Sequence, residues 1–164
     1  RPQELATDAS RDIDFLTHAL DWCERERGWV PEVVIYLAPT SPSRTAADID
    51  SALALLKETG ADSVRTMVHD PHVNPFKMWR MTGAEGKVSP LFPQGSEGVP
   101  RQECEPVYMP VAIAYATRTR NIREGRLWGD DVRIIPFPME RATDIDGPAD
   151  LEQAERILEE FGLV

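Results

Sequence analysis

The chain has 164 residues, 41% apolar and 28% charged, which suits one domain with a substantial core and is neither disordered nor membranous in composition. A formal charge of −10 argues against wrapping a nucleic-acid backbone, which needs a basic face, and no apolar run approaches bilayer-spanning length. An anionic small ligand stays open, because a few local Arg and Lys residues or a metal can reverse the field.

The opening Arg1-Pro2 carries neither an initiator Met nor a secretory signal, so the chain is expected to continue upstream. Ser10 to about Arg27 predicts a helix, with Ile13, Leu16, Leu20 and Cys23 on one stripe and Gly28 as its stop. Val33 to Leu37 is a β-branched and aromatic run, the pattern of a strand buried on both faces. Residues 38–44 break it, and Thr45-Ala46-Ala47-Asp48 resembles a capping box with Asp in place of Glu. Ile49, Leu53 and Leu56 carry the next helix to Gly60, and Ser63 to His69 predicts another strand. Helix, strand, helix, strand favours a parallel sheet with helical crossovers.

Residues 71–108 are rich in Pro and Gly, which marks an insertion, arm or lid. Lys77–Met81 and Val88–Phe92 predict a short pair across a Gly-containing turn. Leu91, Phe92, Val107 and Tyr108 supply apolar anchors, favouring an arm that packs on something, a second subunit included. Val111 to Thr117 and Val132 to Phe137 predict buried strands, and Leu151, Ala154, Leu158 and Phe161 stripe a last helix. Without repeats or low-complexity tracts, residues 1–164 make one α/β domain carrying one excursion. Cys23 and Cys104 are far apart with no CxxC partner, which argues against a disulfide framework or structural zinc and favours a reducing, cytoplasmic setting.

Open α/β sheets bind ligands at the carboxyl ends of their strands, and two segments are expected there. Asp144 and Asp146 stand one residue apart; in an extended Asp-x-Asp both side chains point to one side and can converge on a hard cation bridging to substrate phosphates. Alternatively, Asp146 caps the final helix with Pro148 in its first turn. Thr40 and Ser41 offer hydroxyls and backbone amides, and Arg44 a charge suited to carboxylate or phosphate. The alternative there is a turn feeding a capped helix.

Leu37-Ala38-Pro39-Thr40-Ser41-Pro42-Ser43-Arg44 resembles the L-Q-P-T-S-P-L-R segment of the acylneuraminate cytidylyltransferases, the CMP-sialic acid synthetases. Arg1–Asp8 resembles that family's R-P-x-E-L-A-x-D, Asn74–Trp79 its H-P-x-K-x-W, and Pro100-Arg101-Gln102 the R-Q of its dimerisation arm. Gly125–Gly129 and Thr143–Asp146 follow in the family's order, so the resemblance runs along nearly the whole chain. It implies a Rossmann-like nucleotide-diphospho-sugar transferase fold: a mostly parallel sheet flanked by helices, with a protruding dimerisation arm and a homodimer. It also implies CMP transfer from CTP to an acyl sugar acid, a sialic-acid-like nine-carbon 2-keto acid, with release of pyrophosphate. Asp144 and Asp146 would hold Mg²⁺, and Arg1, with Ser10 and Asp12, would contact the nucleotide. Ala38, Thr40, Ser41, Arg44, Lys77, Val111, Tyr115, Leu127 and Trp128 would line the sugar site, which Arg101 would reach from the partner's arm. Without the resemblance, Tyr115 and Trp128 read equally as core, and Lys77 and Arg101 as solvated charges.

The chain departs from this pattern in several places. The family's Gly/Ser-rich, Lys-containing phosphate loop and its first βα unit are missing upstream of Arg1, so this polypeptide is expected to be incomplete for catalysis. Ala38 stands in place of Gln, and Val111-Ala112 in place of Asn-Gly. Each buried polar group of a substrate left unpaired there costs about 1–3 kcal/mol, which points to a different acyl sugar, a related nine-carbon acid or lost activity. Asp12 occupies a slot where a small hydroxyl residue is usual. The alternative function is a non-catalytic homologue, a dimerising or nucleotide-sugar-binding module; the weakest reading is a nucleotidyltransferase for an unrelated acceptor.

Overall fold

The computed structural model describes residues 2–7, 9–92 and 98–163, and its helices start and stop where local chemistry satisfies their end groups. Helix α1 (Asp12–Arg27) has Asp12 and Asp14 in its first turn and Arg25 and Arg27 in its last, matched to the helix dipole. Gly28 closes it at φ +61°, a left-handed conformation that glycine adopts without steric cost. Helix α2 (Ala46–Thr59) begins with the expected capping box. The Asp48 amide donates to Thr45 Oγ1 (3.2 Å) and the Thr45 amide to Asp48 Oδ2 (2.7 Å). A short α3 (Thr119–Arg123) and α4 (Pro148–Glu160) complete the helices among the described residues.

The strands are β1 (Val33–Tyr36), β2 (Ser63–Val68), β3 (Trp79–Met81), β4 (Val88–Pro90), β5 (Met109–Arg118) and β6 (Val132–Pro136). The main sheet runs β1-β5-β2-β6, while β3 and β4 form a separate antiparallel hairpin, Trp79 opposite Pro90 and Met81 opposite Val88. β5 lies between β1 and β2 and is antiparallel to both; only β2 and β6 pair in parallel. The expected mostly parallel sheet is thus a mixed one. The excursion after β2 leaves and returns at the same edge, so the next strand must run back through the sheet. β1, β2 and β6 nonetheless point the same way, and their carboxyl ends share one edge.

Arg65 faces Tyr115 but Met67 faces Pro110, so residues 111–114 of β5 bulge opposite Thr66 alone. The buried Thr66 hydroxyl fills the bulge, donating to Val111 O (2.7 Å) and accepting from the Ala114 amide (3.2 Å).

One face of the sheet packs on α2 through Ala52, Leu56, Ala61, Val64, Ala114 and Ala116, all fully buried. A buried leucine such as Leu56 contributes roughly 1.5–3 kcal/mol, and the small alanines of β5 let the helix approach closely. The other face meets α1 and α3 through Leu16, Leu20 and Ile122, joined by Val34, Tyr36 and Leu127. Two burial expectations need correction. β1 and β6 are edges, and Val132 is 37% exposed. In α4 the buried residues are Ala154 and Ile157, while Leu151 and Phe161 face solvent, because only a narrow stripe of that helix touches the body. No described helix is long and apolar enough to cross a membrane.

Candidate active site

Beyond β1 the chain turns inward. The Ser41 amide donates to Ala38 O (3.3 Å), and Arg44 Nη2 donates both to Ala38 O and to Ser41 O (2.5 Å). Arg44 therefore braces the loop's own carbonyls; burial lowers its affinity for a proton, and its Nε is buried without a partner among the described residues. Ser41 and Ser43 are wholly buried, and Ser41 Oγ has no partner among the described residues either.

Beyond β6 the chain passes through Phe137 and a turn at Met139–Arg141, then runs back across this loop. The Ile145 amide donates to Thr40 O (2.9 Å), and Ser43 Oγ donates to Arg141 O (2.6 Å) and lies 3.2 Å from Thr143 Oγ1. Arg141 Nη2 donates to Ser43 O (2.9 Å) and to Asp48 Oδ2 (2.8 Å). Burial alone would raise the Asp48 carboxyl, but the hydrogen bonds from Arg141 and from the Thr45 amide and hydroxyl outweigh it and hold it below the usual range. The two segments singled out in the sequence are thus fastened side by side at the carboxyl edge.

On that seam Asp144 and Asp146 are both exposed, and among the described residues neither carboxylate accepts a hydrogen bond or forms an ion pair. The capping alternative for Asp146 does not hold. The N-cap of α4 is Gly147, and Asp150 Oδ2 accepts the amides of Asp146 (3.1 Å) and Gly147 (2.8 Å). No cluster of three or more His, Cys, Asp or Glu able to hold a metal occurs among the described residues. Two free carboxylates fit Mg²⁺ in its usual mode, in which waters and substrate phosphates complete the shell.

Tyr115 and Trp128 do come together. Tyr115, buried in β5, meets the Trp128 ring edge-on with centroids 5.2 Å apart, and Tyr36 of β1 lies 6.1 Å from it on the other side. Leu127 turns instead into the α1 cluster, and Val111 packs against Val68, Ile113 and Phe137. Arg65 completes the aromatic group, its guanidinium carbon 3.8 Å from the centre of Trp128 and 4.7 Å from that of Tyr115. Sequence reasoning missed Arg65, although a lone charge inside a strand expected to be buried is a visible anomaly.

At the carboxyl end of β2 a cleft of about 430 Å³ opens between the two ends of the excursion, lined by His69, Asp70, His72, Asn74, Arg101 and Glu105 among others. Buried Asn74 holds it together, donating to Glu105 O (3.1 Å) and accepting from the Phe76 amide (3.0 Å). Arg101 Nη1 donates to His72 Nδ1 (3.2 Å), and Lys77 Nζ donates to Val99 O. Both cations therefore serve their own excursion in this conformation. Ser10 pairs with Thr7 (Oγ to Oγ1, 2.9 Å), and Asp12 opens α1; no described contact joins either to the seam. Arg1 lies outside the described residues. No protein-family model matches the chain.

Proposed function

We propose that the protein is a Mg²⁺-dependent cytidylyltransferase that moves CMP from CTP to a nine-carbon 2-keto sugar acid and releases pyrophosphate. The observation that carries this reading is the seam. The Thr40–Ser41 loop and the Asp144–Asp146 segment meet through the Ile145 amide, leaving two uncommitted carboxylates at the shared carboxyl edge. The collinear sequence resemblance supports the same reading.

Transfer of a nucleotidyl group needs positioning and neutralisation of phosphate charge more than a covalent nucleophile. A bound Mg²⁺ would supply that neutralisation between Asp144, Asp146 and the phosphates. The Arg44 and Arg141 guanidiniums brace the loop that carries half-buried Thr40, so Thr40 would meet a substrate from a pre-shaped loop, while Ser41 stays buried within it. Tyr115 and Trp128 give the sugar an aromatic wall. The β3–β4 hairpin would serve as the dimerisation arm, since Trp79, Met81 and Val88 stand half or more exposed on it. Cys23 and Cys104 are unpaired, which supports a cytoplasmic setting.

The test, made on the full-length protein, is pyrophosphate release from CTP across a panel of nine-carbon 2-keto acids. Asp144→Asn and Asp146→Asn are each expected to lower it by about 100-fold or more with an unchanged melting temperature. Unaltered turnover in both variants would overturn the reading.

A non-catalytic, nucleotide-sugar-binding homologue is the second reading, favoured by the buried, apolar Ala38 and by Val111 packed among Val68, Ile113 and Phe137. Calorimetric binding of a CMP-sugar without turnover of any acid in the panel would select it.

A further inference from the structure

β2 carries one cation into an aromatic setting. Arg65 lies in a row with Tyr115 and Tyr36 across three neighbouring strands, each directly opposite the next. Trp128 is brought over this row from the loop before β6, its carbonyl fixed by the Ser63 hydroxyl at 2.6 Å. The guanidinium thus rests against two rings, at 3.8 Å and 4.7 Å, and those rings brace each other edge to face.

Cation–π contact leaves a guanidinium's N–H donors unsatisfied, because a ring face offers charge density but no lone pair to accept a hydrogen bond. Among the described residues, Arg65 has neither a hydrogen-bond acceptor nor a carboxylate partner, and its Nε is buried with nothing to bond. Other described arginines have such acceptors, as Arg118 has in Glu32 and Arg120 in Asp62. Folds rarely retain a charged donor in partial burial without an acceptor, so the missing partner is expected to come from outside the chain. Arg65 is half-buried, leaving part of it open to solvent.

We propose that Arg65, clamped by Trp128 and Tyr115, is the recognition point for an oxyanion, a carboxylate or a phosphate, on a small-molecule ligand. The proposal rests on and deepens the transferase reading, in which Tyr115 and Trp128 already wall the sugar site: the acceptor's anionic group docks on Arg65. Replacing Arg65 removes the fork and, with it, the preference for the charged form of the acceptor.

Binding tests this without requiring turnover. In the intact protein with Trp22, Trp29, Trp79 and any tryptophan outside these 164 residues changed to Phe, Trp128 is the remaining tryptophan and reports directly on the site. The probes are N-acetylneuraminic acid, its methyl ester and inorganic phosphate. Saturable quenching is expected with the acid or with phosphate, the responding probe naming the oxyanion, and at least tenfold weaker binding with the ester. Arg65→Met, which keeps the apolar bulk, and Arg65→Lys, which keeps the charge without the fork, should each weaken the anion tenfold or more at an unchanged melting temperature. Equal affinity for acid and ester, no response to either anion, or wild-type titration by either variant would overturn the proposal. Anion binding through Arg65 with no pyrophosphate release would remove the transferase reading alone. Turnover indifferent to Arg65→Met would remove this inference alone.

Discussion

At the amino edge of the sheet Asp62 Oδ2 accepts the amides of Asp130 (2.9 Å) and Asp131 (3.0 Å), and Oδ1 meets Arg120 at 2.5 Å. The Asp131 amide, then Arg120, then the Asp130 amide hold the Asp62 carboxyl far below the ordinary range. Because that carboxyl is depressed in the folded chain and near 3.9 or so when unfolded, its contribution is complete above about pH 4 and fades as pH falls further. Urea midpoints measured across acid pH should therefore drop steeply in the native protein and less steeply in Asp62→Asn; parallel curves would remove Asp62 from the acid response. The same knot explains Gly129. Its φ is +74°, and an added Cβ would stand 2.4 Å from Asp62 Cβ, closer than atoms can approach. Gly129→Ala is expected to destabilise by well over about 1 kcal/mol in urea unfolding, combining left-handed strain with this overlap. Neither effect is visible in the sequence, where Asp62 and Gly129 are merely turn residues far apart. Arg65 is the same lesson in the middle of the sheet: its type was readable, its contacts with Trp128 and Tyr115 were not.

Among the elements, the features read correctly are those with local causes. The Thr45–Asp48 capping box forms as expected because both partners lie within one turn. The hairpin closes where Gly83 and Gly86 allow it, with the Thr82 amide bonded to Lys87 O (2.8 Å). The β5 bulge has no such local origin. It exists because Thr66 supplies a hydroxyl that reaches Val111 O and the Ala114 amide across the strand boundary. Thr66→Val keeps the shape and deletes that hydroxyl, leaving two buried backbone groups unpaired. It should cost about 1–3 kcal/mol for each group that finds no water, measured by chemical denaturation. A change below a few tenths of a kcal/mol would mean the bulge holds itself. The exposed Leu151 and Phe161 of α4 show the complementary limit: a helical stripe is legible, but how much of it the body covers is not.

For the whole molecule, the proposed homodimer predicts a concentration-dependent sedimentation coefficient that Met81→Lys shifts towards the monomer, since Met81 is 75% exposed on the hairpin. A concentration-independent monomer would contradict it. Composition and the positions of the long helices and the strands were determined by the sequence alone, because periodicity, caps and Pro/Gly punctuation act over a few residues; the five-residue α3 was too short to leave such a signal. The spacing of Asp144 and Asp146 was legible too, while their exposure and freedom from partners among the described residues were not. Only the tertiary structure decided that β5 runs antiparallel between β1 and β2, that the Ile145 amide meets Thr40, and that Arg65 lies under Trp128. Those outcomes depend on register and packing between residues dozens of positions apart, where many pairings satisfy the same local pattern and only the assembled core selects one.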